Sequence, residues 1–318
     1  MIDLNNIYDE KTFNSSVLSF GNFDGLHLGH KAIFDKLTNL STKYNLKSVI
    51  VTFRPNTKKV INNLQSFDTL ISFDLKKELL KKFGIDVICE INFDKKFSNI
   101  SHTSFMELII KKYNPKHIVL GYDNRFGKNG LGSYDFLINS GKYKHIKFYK
   151  INPFKIDDVL VKTSNIKSLI KRNNISLANK HLGRKFAVKG KVVKGEKIAR
   201  TLGFPTANID IEPKEQLIPS NGVYSVNLKI DKTKYSSICN IGSKPTFGSY
   251  DRMIEVHILN SNLDIYKKNV FIEFNYFIRK EIKFKDKNEL AFQIRKDIKL
   301  ITNKEKNSVK WKNKKRIW

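Results

Sequence analysis

Cysteine is almost absent: the 318 residues contain two, Cys89 and Cys239, in different halves of the chain and with no metal-ligand spacing around either. That argues against a disulfide framework and against a cysteine-held zinc. No apolar run approaches the length that crosses a bilayer, and the opening MIDLNNIYDE lacks the basic-then-apolar layout of a secretory signal, so a cytoplasmic protein with no membrane partner is expected. Acidic residues are scarce too, 30 against 59 Lys and Arg, a formal charge of +29 that raises the question of a polyanionic partner. The excess is spread through the whole chain among abundant Lys, Asn and Ile, and a general compositional bias accounts for it without a dedicated nucleic-acid face. The densest basic run is the tail NKEKNSVKWKNKKRIW, read as a solvated, frayed terminus. There is no internal repeat and no low-complexity tract.

With 40% apolar residues and 23 Phe the chain can bury a substantial core, and its length favours two domains. From Val17 to about Ile151, strand and helix alternate. The strands are VLSF (17–20), SVIVTF (48–53), VICEI (87–91), HIVLGY (117–122) and HIKFYKI (145–151). Between them, Ile33, Leu37, Leu40 and Tyr44 recur at helical spacing, as do Leu75, Leu79 and Phe83; SFMELIIKKY is a helix and YDFLINS a short one. Repeated βα units with right-handed crossovers make a doubly wound parallel α/β sheet. SNIKSLIKRNNISLANKHLG (164–183) reads as an amphipathic helical connector that stops at Gly183.

Beyond the connector the period changes to two. Tyr224, Val226, Leu228 and Ile230 share a face, as do Ile254, Val256 and Ile258, and as do Val270, Ile272, Phe274, Tyr276 and Ile278. Alternation without intervening helices implies an antiparallel sheet or small β-barrel. A last helix follows, with Asp286 and Glu289 at capping-box spacing and Leu290, Ile294 and Ile298 facing inward. The resulting division is 1–163, a nucleotide-binding α/β domain; 164–183, the connector; 184–303, the barrel and its C-terminal helix; and 304–318, the basic tail.

GNFDGLHLGHK (21–31) lies where the first strand gives way to the first helix, the place where an open α/β sheet collects ligands. A helix N-terminus offers free backbone N–H groups and partial positive charge, which together hold phosphate. His27 and His30 can donate to the same phosphate oxygens there, and Gly29 removes a side chain that would keep a nucleotide at a distance. Such a site stabilises charge on a phosphorus under attack, the pattern of nucleotidyl transfer. The plainer alternative is that the histidines cap a helix while Gly21 and Gly25 turn the chain.

GNFDGLHLGH resembles the adenylyltransferase signature of bacterial bifunctional riboflavin kinase/FMN adenylyltransferases (FAD synthetases), themselves similar to the wider HxGH nucleotidylyltransferases. The resemblance implies catalytic His27 and His30, with Gly21, Phe23, Asp24, Gly25 and Gly29 around ATP. VLGYDNRFGKNGLGSYDFL (119–137) is similar to a second family segment, which implies nucleotide and flavin contacts from Asp123, Arg125 and Phe126, followed by Gly127. Two departures stand out. A Phe-Asp-Pro-His-Pro segment is replaced by Phe53, Arg54, Pro55, Asn56 and Thr57, so one histidine and one carboxylate are absent, although Arg54 and Asn56 can donate to phosphates. KTSNIK (162–167) stands where a Ser-Ser-Thr-x-Ile-Arg helix start is usual. Thr163 and Ser164 keep hydroxyls, and Lys167 replaces the arginine with a point charge, so Ser164 and Lys167 are assigned to ATP with reduced efficiency expected.

GKVVKGEKIARTLGFPTANID (190–210) resembles the riboflavin kinase signature. Its loop from Gly195 to Gly203 can fold over ATP phosphates with backbone N–H groups and Lys197. Mg²⁺ takes few protein ligands when phosphates supply the rest, so Thr206 and Asn208 suffice to hold it. NGVYSV, ICNIGSKPTFG, IEVHIL and YFIRKEIKF follow in family order. The resemblance implies that Glu255 takes the proton from the ribityl hydroxyl of riboflavin, a general-base contribution typically of ~10²–10⁴-fold. Arg279 is a candidate for the flavin side of the pocket, or else a solvated strand end.

The two motif sets together imply a bifunctional enzyme whose C-terminal barrel phosphorylates riboflavin to FMN and whose N-terminal domain adenylylates FMN to FAD, both with MgATP. Its partners are then small molecules, riboflavin, FMN and ATP. Two alternatives stay open: a monofunctional riboflavin kinase with a first domain degenerate at FRPNT, and a basic nucleic-acid-binding protein, which steeply salt-dependent binding to RNA or DNA would reveal. The sequence leaves oligomeric state undetermined.

Overall fold

Continuous apolar runs become the six parallel strands of one sheet: β1 (Ile2–Leu4), β2 (Ser16–Phe20), β3 (Lys47–Arg54), β4 (Val87–Asn92), β5 (Pro115–Gly121) and β6 (Lys147–Ile151). They lie in the order β1-β4-β3-β2-β5-β6, in a computed structural model that describes residues 2–4, 13–194, 203–246, 249–261 and 263–314. Every residue of β2 is buried, because helices cover both faces. Leu18, Phe20, Val49 and Val51 face one apolar cluster with Phe105, Met106 and Ile109. Val17, Ile50 and Ile88 face another with Phe34, Leu37 and Leu80. The helices are α1 (Leu28–Tyr44), α2 (Thr57–Ile61), α3 (Phe73–Lys82), α4 (Lys95–Ser98), α5 (His102–Tyr113) and α6 (Tyr134–Asn139). The doubly wound sheet expected from the sequence is therefore present, with β1 as an added edge strand.

The strand order sets the position of the first site. From β2 the chain steps to β3 and β4 on one side, then β5 returns to the other side of β2. The carboxyl ends of β2 and β5 thus flank the point where the winding reverses, the crevice in which open α/β sheets bind ligands. Asn124 Nδ2, just past β5, donates to the Phe20 carbonyl at 2.8 Å and ties the two strand ends together.

After a two-stranded hairpin, β7 (Lys155–Ile156) and β8 (Val159–Leu160), the connector forms α7 (Thr163–Lys171) and α8 (Ile175–Leu182). A single helix was expected; the break falls at Asn173, in left-handed backbone at φ 61. Its Oδ1 accepts from the Tyr224 hydroxyl at 2.6 Å, and a side-chain bond to a distant strand is invisible to helical periodicity. The chain divides into two units, Met1–Ile166 with His181–Gly183, and Lys167–Lys180 with Arg184–Trp318, so the connector is shared out between them. In the first unit Leu182 packs at Gly25, and Gly183 lies so close to Leu28 that a Cβ would meet its Cδ2 at 2.5 Å. In the second, Asn179 accepts from the Phe186 N–H at 2.6 Å and donates to the Phe274 carbonyl at 2.9 Å.

The second unit is a closed antiparallel barrel of β9 (Phe186–Val193), β10 (Ala207–Ile211), β11 (Gly222–Ile230), β12 (Thr233–Thr246), β13 (Ser249–Ile258) and β14 (Asn269–Arg279), in the order β10-β13-β12-β11-β14-β9. In β14 the predicted alternation holds through Phe274 and then slips. The pairing jumps from Val226↔Phe274 to Ser225↔Tyr276, and Tyr224 faces Phe277. An extra residue at Asn275 therefore puts Phe277, not Tyr276, beside Tyr224. Helix α9 (Lys287–Lys314) closes the chain. Asp286 caps it by accepting from Glu289 N–H at 2.9 Å, while Glu289 reaches back to Lys285 N–H at 2.8 Å. Among its described side chains Ala291, Asp297 and Ile301 are buried, with Leu290, Ile294 and Ile298 half-buried. The helix runs on through 304–314, residues that the sequence set apart as a tail.

Candidate active sites

The turn between β2 and α1 is built by residues that the sequence suggested for ATP. Gly21 N–H donates to the Val51 carbonyl at 3.0 Å. Phe23 and Leu26 sit in left-handed backbone at φ 45 and 43, and Gly25 at φ 92, where a Cβ would meet Leu70 Cδ1 at 2.8 Å. Non-glycine residues hold such angles only when surroundings over-determine them. Those surroundings are visible: Asp24 Oδ1 accepts from Leu70 N–H at 2.7 Å, its carbonyl accepts from Thr163 Oγ1 at 3.1 Å, and Asn22 Oδ1 accepts from Thr57 N–H at 3.1 Å. Phe23 is buried, its ring edge-on to His30. Phe23, Asp24 and Gly25 thus shape the turn from within.

The two histidines are brought together. Their rings stack at 3.7 Å with 13° between planes. His27 is the N-cap of α1, and its Nδ1 accepts from His30 N–H at 3.3 Å. Accepting at Nδ1 leaves Nε2 to carry the proton of the neutral ring, so His27 presents an Nε2–H donor. Burial, then the neighbouring His27 imidazole and the Lys76 ammonium, hold His30 well below the ordinary histidine value. At Gly29 a Cβ would press the His27 ring, at 3.2 Å. Its bareness gives the imidazole room.

Other expected residues separate. Asp123 and Arg125 are exposed beyond β5, whereas Phe126 is buried, packing edge-on against Phe20 at 5.2 Å. Gly127 is required, since a Cβ would run into the His102 backbone. In the departed segment, Asn56 Oδ1 caps α2 through Lys58 N–H at 3.1 Å, and Arg54 lies 3.9 Å from Glu90. Ser164 is exposed in the first turn of α7, and Lys167 lies farther along that helix. Lys162 is pushed up by the neighbouring Tyr122, whose ring lies 5.4 Å from its ammonium.

Lys76 was missed. The sequence placed Leu75, Leu79 and Phe83 on the inner stripe of α3, and these are half-buried, but the buried residues are Lys76 and Leu80. Ser72, Lys76 and Leu80 recur every four residues; a hydropathy pattern passes over a lysine, although that spacing was there to read.

In the barrel, Glu255 on β13 is directly opposite Asn208 on β10 and Asn240 on β12. Cross-strand partners share a face, so a carboxylate is flanked by two amides, on the face opposite buried Ile254, Val256 and Ile258. Asn240 was not anticipated; it is found only from register. Thr206 immediately precedes β10 and is half-buried, as are Asn208 and Glu255. His257, two residues on, contacts the Pro205 carbonyl through Nδ1 at 2.8 Å and so holds the PTAN segment to β13. Beside it a cavity of about 420 Å³ is lined by Gly203, Phe204, His257, Asn260 and Ile298 among others. The Cys239 thiol is pushed up by burial and then by the Glu255 charge, which leaves it an unreactive neighbour. Gly195 and Lys197 lie outside the described residues. Arg279 meets Asp297 of α9 at 2.9 Å rather than standing as an open strand end.

Hydroxyl, amide and carboxylate oxygens at the barrel site are hard ligands of the kind Mg²⁺ takes. Among the described residues there is no group of three or more His, Cys, Asp or Glu able to hold a metal ion, and no helix long and apolar enough to cross a membrane.

Comparison with known proteins bears on both sites. Residues 9–165 match the FAD synthetase family and residues 182–304 the riboflavin kinase family. The bifunctional riboflavin kinase/FMN adenylyltransferase of Buchnera aphidicola subsp. Schizaphis graminum is 36% identical, over 93% of this chain and 96% of that protein. The Bacillus subtilis enzyme of the same description is 31% identical, over 89% and 90%. A crystal structure described as a macrolide-efflux protein from Streptococcus pneumoniae superposes with a TM-score of 0.87 at 28% identity, covering 95% of this chain and 98% of that one. The chain therefore belongs to the bifunctional riboflavin kinase/FMN adenylyltransferase family, making FMN from riboflavin and FAD from FMN with ATP as co-substrate.

Proposed function

We propose that the turn carrying His27 and His30 performs adenylyl transfer and that the row Asn208–Glu255 with Thr206 performs the kinase step. The observation that carries the first assignment is the stacked imidazole pair at the N-terminus of a 17-residue helix. In this reading His27 Nε2–H, His30 and the unbonded N–H groups at the start of the helix hold phosphate at the sheet's winding reversal. A phosphate oxygen of FMN attacks the α-phosphorus of ATP, the bond to pyrophosphate breaks, and these donors stabilise the charge that accumulates. Ser164, Gly21 and Gly29 complete the approach to ATP, and the exposed Asp123 and Arg125 face flavin, with Phe126 supporting them from the core.

In the barrel, Glu255 accepts the proton of the ribityl hydroxyl while that oxygen bonds to the γ-phosphorus and ADP leaves. Thr206 and Asn208 hold Mg²⁺, which when bound neutralises phosphate charge. Arg279 acts by fixing α9 beside the cavity. The working division is 1–163 for FAD synthesis and 184–303 for FMN synthesis, in a cytoplasmic protein whose partners are small molecules.

Chromatography of flavins after incubation with riboflavin, ATP and Mg²⁺ tests both assignments. Glu255→Gln should stop FMN formation and leave FAD formation from supplied FMN; His30→Ala should do the reverse. FMN formation untouched by Glu255→Gln, or FAD formation untouched by His30→Ala, would refute the corresponding half.

A further inference from the structure

Under the HLGH turn lies a charged group with no part in the chemistry above. Lys76, 8% exposed, projects from α3 and donates from Nζ to the Asn22 carbonyl at 2.9 Å and to Thr52 Oγ1 at 3.3 Å. Thr52 Oγ1 itself donates to the same Asn22 carbonyl at 3.2 Å. Asn22 is the residue before the left-handed run that begins at Phe23, and its side chain holds Thr57 through both its oxygen and its nitrogen, the latter at 2.8 Å. A methionine or leucine would fill this interior more cheaply than an ammonium, since removing a charge from water is costly unless it is paired.

We propose that Lys76 is a positioning residue of the adenylyl-transfer site: its ammonium pins the Asn22 carbonyl beneath the turn and places a positive charge under the histidine pair. This rests on adenylyl transfer occurring at that turn. The charged and titratable groups around the pair are Asp24 and His27 from the turn, Arg54 from β3 and Glu90 from β4. Burial pulls Lys76 below the ordinary lysine value, Asp24 and Glu90 counter it by stabilising the ammonium, and Arg54 opposes it. Toward His30 the sign is fixed, because a cation nearby disfavours imidazolium. Geometry and field act together: the Nζ that holds the backbone of the turn also adds, after burial and the His27 imidazole, to what keeps His30 low.

The full-length protein with Lys76→Gln, Lys76→Arg and Lys76→Met separates these parts, because Gln keeps a donor without charge, Arg keeps the charge, and Met keeps neither. His30 is titrated by its imidazole NMR signal, and FMN and FAD formation are followed in the same samples. Lys76→Gln should move the His30 midpoint to higher pH, and Lys76→Arg should leave it in place. Lys76→Met should cut kcat for FAD formation at least tenfold with FMN formation within twofold of wild type. An unmoved His30 midpoint in Lys76→Gln overturns the proposal, as does a wild-type rate of FAD formation in Lys76→Met. If Lys76→Met does not fold, the Gln and Arg midpoints decide alone. His30→Ala is run alongside: if it leaves FAD formation intact, the assignment of the turn has failed, whereas if it stops FAD formation and the Lys76 variants change nothing, only the role of Lys76 has failed.

Discussion

Replacing Asp297 by alanine should loosen α9 from the barrel by an amount the structure lets one work out. The Asp297 side chain is 3% exposed and that of Arg279 18%. Arg279 Nε donates to both carboxylate oxygens at 3.2 and 3.0 Å, and Gln293 Nε2 donates to Oδ1 at 2.8 Å. Losing one partner of a buried pair costs about 3–5 kcal/mol, because the remaining charge stays buried without compensation. The lower figure corresponds to roughly a hundredfold rise in the open population, and at about 2–4 °C per kcal/mol to a fall of about 6–12 °C in Tm. Differential scanning calorimetry of the full chain reads the second quantity on the barrel's transition, and hydrogen exchange at the amides of β14 and α9 reads the first. Ile298, next to Asp297, lines the barrel cavity, so FMN formation should fail at a lower temperature than FAD formation from supplied FMN. Replacing both residues by methionine should recover most of the loss, since a well-packed apolar pair is often no worse than a buried ion pair. A Tm within 1 °C of wild type for Asp297→Ala would refute this reasoning and leave the apolar contacts of Ile301 with Val223 and Ile238 as what seats the helix.

Gly29→Ala sets two effects against each other: alanine favours a helix over glycine by roughly 0.5–1 kcal/mol, yet its Cβ presses the His27 ring. Stability by urea denaturation should hold or rise slightly while FAD formation falls about tenfold, by the ~1.4 kcal/mol a displaced donor costs. Because His30 is held below its unfolded value of about 6.5, the unfolded chain binds the extra proton as pH falls through that value. The contribution of His30 to stability is full above about 6.5 and is lost as pH drops towards the folded value. Urea midpoints at successive pH values should show this loss in wild type and a flatter course in His30→Gln. Asn173→Ala removes one of the two acceptors of the Tyr224 hydroxyl, which still has the Ser220 carbonyl, and puts a Cβ-bearing residue without a polar side chain at φ 61; a cost of about 1 kcal/mol by thermal melting is expected, and less for Asn173→Gly. Chelation of Mg²⁺ by EDTA should stop both flavin products, with recovery on adding the ion back.

The sheet, the barrel and the histidine pair were legible because each is written in short-range pattern: buried runs such as VLSF, alternation such as IEVHIL, and a spacing of three in HLGH. What escaped depends on contacts that no local pattern records. Asn173 breaks the connector because of a tyrosine on a distant strand, and Phe277 replaces Tyr276 on the inner face because one residue bulges out of β14. Asn240 reaches Glu255 only through register, and Lys76 is buried through the carbonyl it serves. Phe126 and Arg279 teach a related lesson. Their motif positions were found, but an aromatic ring can fill a core and a guanidinium can clamp a helix, and only packing tells which.

The sharing of the connector between the two units has a practical side for anyone wishing to study either reaction alone. A fragment ending before residue 181 loses the Leu182 and Gly183 packing on the histidine turn, while one beginning at residue 184 discards Asn173 and Asn179 together with their partners on the barrel strands. No single cut hands each half its full complement. Separated activities are better obtained by point inactivation within the intact polypeptide, or by two overlapping fragments that both retain residues 167–183.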